Sequence, residues 1–174
     1  QNAQFYLGII YYENKYIARD INKSIHYLSL AADQNDQNAQ FYLGMIYYEN
    51  KYIARDINKS IYYLSLAANP KKQNDQNAQF YIGLIYYESQ SISRDINKAI
   101  YYFSLAANQN NQNAQFYLGI IYYENKYIAQ DINKSIHYLS LAADQNYPDA
   151  QFYLGIIYYE GKYITRDINK SIHY

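Results

Sequence analysis

The side chains with the widest chemical reach in this sequence are three histidines, His26, His137 and His173. A histidine serves as a metal ligand or as a general base. Each role needs partners, either converging ligands or a nucleophile. All three occupy one phase of a recurring segment whose other copies carry Tyr62 and Tyr101. That phase lies on a polar stripe of Asn22, His26, Ser29 and Asp33, at helical spacing i, i+4, i+7 and i+11. No carboxylate cluster stands between His137 and His173, so solvent-facing rings and no metal site are expected. Ser24 and His26 are two residues apart and would not face each other on a helix, which excludes a nucleophile and its base. The recurring carboxylates are Glu13 and Asp20 with their copies. Acid–base catalysis needs carboxyls whose environments set their pKa values apart. Here Asp20 sits where a helix cap belongs, and Glu13 stands near a helix end beside Lys15 and Arg19. Six glycines are scattered singly, and no phosphate-cradling loop or zinc-protease motif occurs. No catalytic, cofactor-binding or metal residue is expected, and the chain is read as a non-enzyme.

Composition narrows the partners. Fifteen basic and fifteen acidic side chains give zero formal charge, against the basic stripe that nucleic-acid binding requires. Neutrality also argues against adhesion to an anionic membrane, and no apolar run reaches the roughly 18 residues of a spanning helix. The absence of cysteine excludes disulfides and thiolate sites and fits a reducing, cytoplasmic setting. Asn-Lys-Ser occurs at Asn22, Asn58, Asn133 and Asn169, while Asn97-Lys98-Ala99 breaks the pattern. In a secreted eukaryotic chain these would be glycosylation acceptors; here they read as helix-start residues.

The elements that position these groups repeat. Leu7-Gly8, Leu43-Gly44, Ile82-Gly83, Leu118-Gly119 and Leu154-Gly155 place glycines 36, 39, 36 and 36 residues apart. The longer step reflects an insertion near Pro70-Lys71-Lys72. A period of this size marks stacked supersecondary units. The units run at about 1–36, 37–75, 76–111, 112–147 and 148–174, the last incomplete. The sequence opens and closes within repeats, so a longer array is expected.

Each unit reads as two helices. In the first, Ala39, Tyr42, Leu43, Ile46 and Tyr47 form one apolar stripe, and Phe41, Met45 and Tyr48 form a second. Two apolar faces require cover from two sides. Gly44 lowers helix propensity by about 1 kcal/mol relative to Ala, so its repetition at one phase predicts close helix–helix approach. Asn14, Asn50, Ser89, Asn125 and Gly161 end the first helix, and Asn35, Asn110 and Asn146 the second. Asp20, Asp56, Asp95, Asp131 and Asp167 are its N-caps. The second helix carries Ile57, Ile61, Leu64 and Ala68 on one face.

The pattern Ala3-x-x-x-Leu7-Gly8-x-x-Tyr11-x-x-Asn14, Ile17-x-x-Asp20-x-x-Lys23-Ser24-x-x-Tyr27, Ala31-Ala32 resembles the Sel-one-like repeat, a relative of the tetratricopeptide repeat. The family pattern has glycine where Asn14 and Tyr16 stand, alanine at Ser24, and lysine where Leu30, Leu66, Leu105 and Leu141 stand. Ala99 and Gly161 carry the family residue in single repeats. The resemblance covers the whole chain. It implies an all-α, right-handed superhelical solenoid of antiparallel helix pairs that serves as a protein-interaction scaffold.

The same resemblance places the first-helix columns corresponding to Asn2, Phe5, Ile9 and Tyr12 on the concave face. They read Asn38, Phe41, Met45 and Tyr48; Asn77, Phe80, Leu84 and Tyr87; then Asn113, Phe116, Ile120 and Tyr123. Two placements satisfy this pattern. In one, the columns line an exposed groove for a partner helix or extended peptide, with asparagines bonding its backbone. In the other, curvature buries Phe and the aliphatic residues between adjacent first helices. The expected function is a protein- or peptide-binding adaptor. Its rivals are a structural array that self-associates through its ends and a regulatory array joined to an enzyme domain.

Overall fold

Both periodic stretches of every repeat form α-helices, and the chain turns between them where asparagine and aspartate stand. The computed structural model describes residues 2–15, 17–69, 75–88, 93–161 and 164–174. Among these it holds ten α-helices and no strand. The chain forms two compact units, Gln1–Arg94 and Asp95–Tyr174. The first contains α1 (Asn2–Glu13), α2 (Ile21–Asp33), α3 (Gln37–Glu49), α4 (Ile57–Ala67) and α5 (Gln76–Glu88). The second contains α6 (Ile96–Ala107), α7 (Gln112–Tyr123), α8 (Ile132–Ala143), α9 (Pro148–Glu160) and α10 (Ile168–His173).

The helix ends have direct chemical causes. Asn14, Asn50 and Asn125 adopt φ of 57°, 50° and 48°, and Gly161 adopts 58°. Asparagine tolerates this left-handed region because its side chain bonds locally. Asn14 Oδ1 accepts the Arg19 N–H at 3.0 Å, and Asn50 and Asn125 accept those of Arg55 and Gln130 at 3.2 Å. Asn35, Asn110 and Asn146, at φ of 63°, 64° and 61°, end the second helices likewise. Asp20, Asp56, Asp95, Asp131 and Asp167 each accept the N–H three residues on at 3.0 Å, as N-caps do. Ser89, Tyr16 and Pro70-Lys71-Lys72 lie outside the described residues. First helices carry caps as well: Asp36 accepts from Ala39 N–H and Asn111 from Ala114 N–H, both at 3.0 Å.

The two helices of a repeat run antiparallel. Early in α1, Gln4 bonds Gln34 at the end of α2. Midway, Gly8 faces Leu28, and beyond it the Tyr11 carbonyl accepts the Asp20 N–H at 3.1 Å. A methyl group on Gly8 would lie 2.6 Å from Leu28 Cγ and 3.2 Å from the Leu28 backbone nitrogen. Gly44 meets Leu64 Cγ, and Gly119 meets Leu139 Cγ, at the same 2.6 Å. The close approach expected at the repeated glycine is therefore present. Ser60, one turn before Leu64, is buried and donates its Oγ hydrogen to the Gly44 carbonyl at 2.9 Å. The serine phase is thus a helix-contact position. Four stacked pairs, Tyr11–Tyr27, Tyr47–Tyr63, Tyr122–Tyr138 and Tyr158–Tyr174, continue each seam at 5.9 to 6.1 Å between ring centroids. Lys23, Lys59, Lys134 and Lys170 lie over the first ring of each pair at 5.0 to 5.2 Å.

The core follows the first stripe. Ala39, Leu43, Ile46, Leu64 and Ala67 are buried, with Ile57 and Ala68 at its edge. The histidine phase is solvent-exposed at His26, His137 and His173, as the polar stripe predicts.

Gly44→Ala should lower unfolding free energy by about 1–3 kcal/mol, the usual penalty for overpacking. Urea denaturation of the variant beside the parent chain measures the loss. A second expectation concerns acid. The Lys23, Lys98 and Lys134 backbone N–H groups hold the carboxyls of Asp20, Asp95 and Asp131 below their ordinary pKa. The unfolded carboxyls therefore bind protons first, and this contribution to stability is present above about pH 4 and lost below it. Asp131→Asn keeps a capping oxygen and should flatten the acid limb of the melting-temperature profile.

Candidate protein-interaction face

The second stripe of the first helices faces neither its own partner helix nor open water uniformly. Asn38 and Asn77 are exposed, and Asn113 is half-buried. Phe41, Met45, Tyr48, Tyr87, Phe116 and Tyr123 are half-buried. Phe80, Leu84 and Ile120 are buried, at 8%, 8% and 7% exposure. The two placements left open by the sequence thus divide by row. The aliphatic row goes largely inside, the phenylalanine row is mixed, and the tyrosine and asparagine rows remain accessible.

Aromatic contacts explain the division. In the first unit, Phe5 and Tyr12 bracket Tyr42 at 5.9 and 6.1 Å. Phe41 and Tyr48 bracket Tyr81 at 6.0 and 5.8 Å in the same way. In the second unit, Phe116 and Tyr123 bracket Tyr153 at 6.0 and 5.8 Å. One edge of each ring therefore joins neighbouring repeats, in the tilted and edge-on geometries aromatic rings prefer. The other edge is left to the surface.

The tyrosine row also carries polar links. Tyr12 donates its hydroxyl hydrogen to Glu49 Oε2 at 3.2 Å, and Tyr48 donates to Glu88 Oε2 at 3.3 Å. Burial, then the Glu49 carboxylate, pushes the Tyr12 pKa up to about 12. Burial raises Tyr81 as well, with a further contribution from Glu49. Arg19 Nε donates to the Tyr12 carbonyl at 2.6 Å and Arg94 Nε to Tyr87 O at 2.8 Å, while Gln130 serves Tyr123 O at 2.6 Å. The Arg55 guanidinium lies 4.5 Å from the Tyr48 ring. By its place in the sequence Glu49 is a helix-end residue. Its bond to Tyr12 spans 37 residues, one repeat plus one position, a recurrence visible in the sequence only once the stacking is known.

Among the described residues, no three His, Asp or Glu side chains gather as metal ligands, and no helix is long and apolar enough to cross a membrane. The face offers aromatic edges, amide groups and carboxylates at regular intervals, which suits recognition of a polypeptide.

The Sel1 repeat model matches residues 1–36, 37–69, 76–111, 112–147 and 148–174, and the chain belongs to the Sel1 repeat family. It is similar to c5321, a protective antigen of uropathogenic Escherichia coli strains displaying an SLR fold. That match has 25% identity and a TM-score of 0.83, over 98% of this chain and 36% of the antigen. It is also similar to a Sel1 repeat protein from Oxalobacter formigenes, with 29% identity and a TM-score of 0.82, over 99% of this chain and 69% of the other. The chain thus spans about a third of the first and about two thirds of the second. No curated protein matches it. The fold is an all-α repeat solenoid. Sel1 repeat proteins are generally protein-interaction scaffolds and typically non-catalytic.

Because Tyr12 holds its proton more tightly folded than unfolded, its contribution to stability is present below about pH 10 and is lost as pH rises through about 12. Glu49→Gln should bring the Tyr12 phenol down toward its ordinary value. An NMR titration of ring-labelled tyrosine, assigned by Tyr12→Phe, reads the change.

Proposed function

We propose that this array is a non-catalytic, cytoplasmic adaptor that binds a peptide or helix along its first-helix face. That face is the concave one in the tetratricopeptide-like arrays it resembles. The observation that carries this reading is the repeated row of exposed asparagine and half-buried tyrosine, Asn38 with Tyr48 and Asn77 with Tyr87, at one register. Asparagine side chains bond an extended backbone, and the tyrosine edges give apolar contact at low entropic cost. Phe80, Leu84 and Ile120 are buried beneath the face, Ile120 in the cluster it shares with Leu154 and Ile157 of α9. Phe41, Met45, Phe116 and Tyr123 contribute their accessible edges, and Asn113 continues the row.

A second reading is a structural array that self-associates. Mass measured by light scattering that grows with concentration would support it, and a constant monomer mass would remove it.

Photo-crosslinking in cells separates partner binding from both alternatives. A crosslinker at Asn38, Tyr48 or Asn77 should yield a discrete adduct, whereas one at Asn58 or Ser65, exposed on α4, should not. Adducts confined to the α4 positions would sink the adaptor reading.

A further inference from the structure

The first unit holds a pocket of about 230 Å³ between the end of α2 and the body of α4, with Gln40 of α3 in its wall. None of the candidate face's residues lines it. The volume falls below the roughly 300–1,000 Å³ of sites for drug-sized molecules and suits the head group of one side chain.

Gln40 is 1% exposed. Its Nε2 donates to the Ala32 carbonyl at 3.2 Å, while its Oε1 has no hydrogen-bond partner. Two glutamines at the same register are satisfied. Gln4 Oε1 accepts from Gln34 Nε2, and Gln115 Oε1 from Gln145 Nε2 at 2.7 Å. A buried carboxamide oxygen without a donor has lost its water and gained no bond. This pocket therefore carries an acceptor that the fold leaves unused.

Asp33 is the one charged side chain that lines the pocket, and it is exposed. Two aromatic rings complete the wall. Tyr62 is 60% exposed, Tyr63 is half-buried, and the two meet edge-on at 5.1 Å. Burial raises the Tyr63 pKa, and Tyr47 and the Asp33 carboxylate add to the rise. The Asp33 charge thus reaches the aromatic side of the pocket.

A ligand that answers this set donates N–H to an amide oxygen, brings positive charge to a carboxylate and lays a flat face on tyrosine. An alkylammonium is a compact, strongly hydrated point charge and has no flat face. A guanidinium meets all three needs, with its donors in one plane and a face that stacks on aromatic rings. We propose that this pocket binds a guanidinium group, with Gln40 Oε1 accepting one N–H, the Asp33 carboxylate accepting another, and the Tyr62 ring against the plane. The site is separate from the first-helix face and does not rest on the adaptor reading.

Titration of the full chain with ethylguanidinium, read by NMR at the Gln40 side-chain amide and the Tyr62 ring, tests the assignment. Saturable shifts are expected at both and none at the Gln115 amide. Asp33→Asn should weaken binding at least about tenfold, the usual worth of a hydrogen bond to a charged group. Tyr62→Ala should weaken it as well. Ethylurea keeps the plane without the charge, ethylammonium keeps the charge without the plane, and both should bind more weakly. Absence of saturable shifts overturns the site and leaves the pocket to water. So does unchanged affinity in either folded variant. Equal binding of ethylurea or ethylammonium overturns the guanidinium assignment whether or not the variants fold. A peptide, acetyl-Gly-Arg-Gly-amide, then separates the sources of the group: tighter binding than ethylguanidinium assigns it to an arginine side chain, and equal or weaker binding to a free small molecule.

Discussion

The two helices of each repeat meet backbone to side chain at a glycine that faces a leucine. Gly8 with Leu28, Gly44 with Leu64 and Gly119 with Leu139 leave no room for a methyl group. The serine phase lies in the same seam, and Ser60 donates to the Gly44 carbonyl there. The close approach also brings the tyrosines one turn away into parallel stacks. Each helix interior gives up propensity at its glycine and recovers it through dense contact along the seam. Moving the helices apart to admit a side chain would loosen the leucine, the serine and the tyrosine pair together.

Loop chemistry keeps this seam in register. A left-handed asparagine ends α1, α3 and α7, Gly161 ends α9, and an aspartate starts each second helix. Both act through short side-chain bonds to backbone N–H groups that would otherwise lack partners. The exposed Lys23–Asp20 pair and its copies add little, since solvent screens them at 3.4 to 3.7 Å. The caps therefore depend on hydrogen bonding more than on charge.

The first helix, apolar on two sides, couples folding to recognition. One side closes against its partner helix. The other lends ring edges to the neighbouring repeat and leaves the remainder at the surface. Tyr48 shows the division, with its ring against Tyr81, its hydroxyl on Glu88 and the Arg55 guanidinium above it. A surface built this way is held in place by the contacts that hold adjacent repeats together, so repeat spacing sets the spacing of its recognition groups.

Much of this was legible in the residues themselves. The recurrence of Leu-Gly, the two helical stripes, the aspartate caps and the asparagine stops are local patterns, and local hydrogen bonding and periodicity act on them directly. The glycine's partner was legible in kind, as a close approach, but not by name. Burial along the candidate face was not legible. Phe41 and Phe80 sit in nearly identical local sequences, yet one is half-buried and the other buried. The caps of the first helices were not legible, because the residue there changes between repeats, from Asp36 to Asn111 to Tyr147, whose side chain makes no cap bond. The Tyr12–Glu49 and Gln145–Gln115 bonds span 37 and 30 residues. Sequence alone determined which segments are helices and where they stop, because those choices are made within a few residues. Only the tertiary structure decided which rows of a two-faced helix stay wet, because that depends on how closely the next repeat stacks.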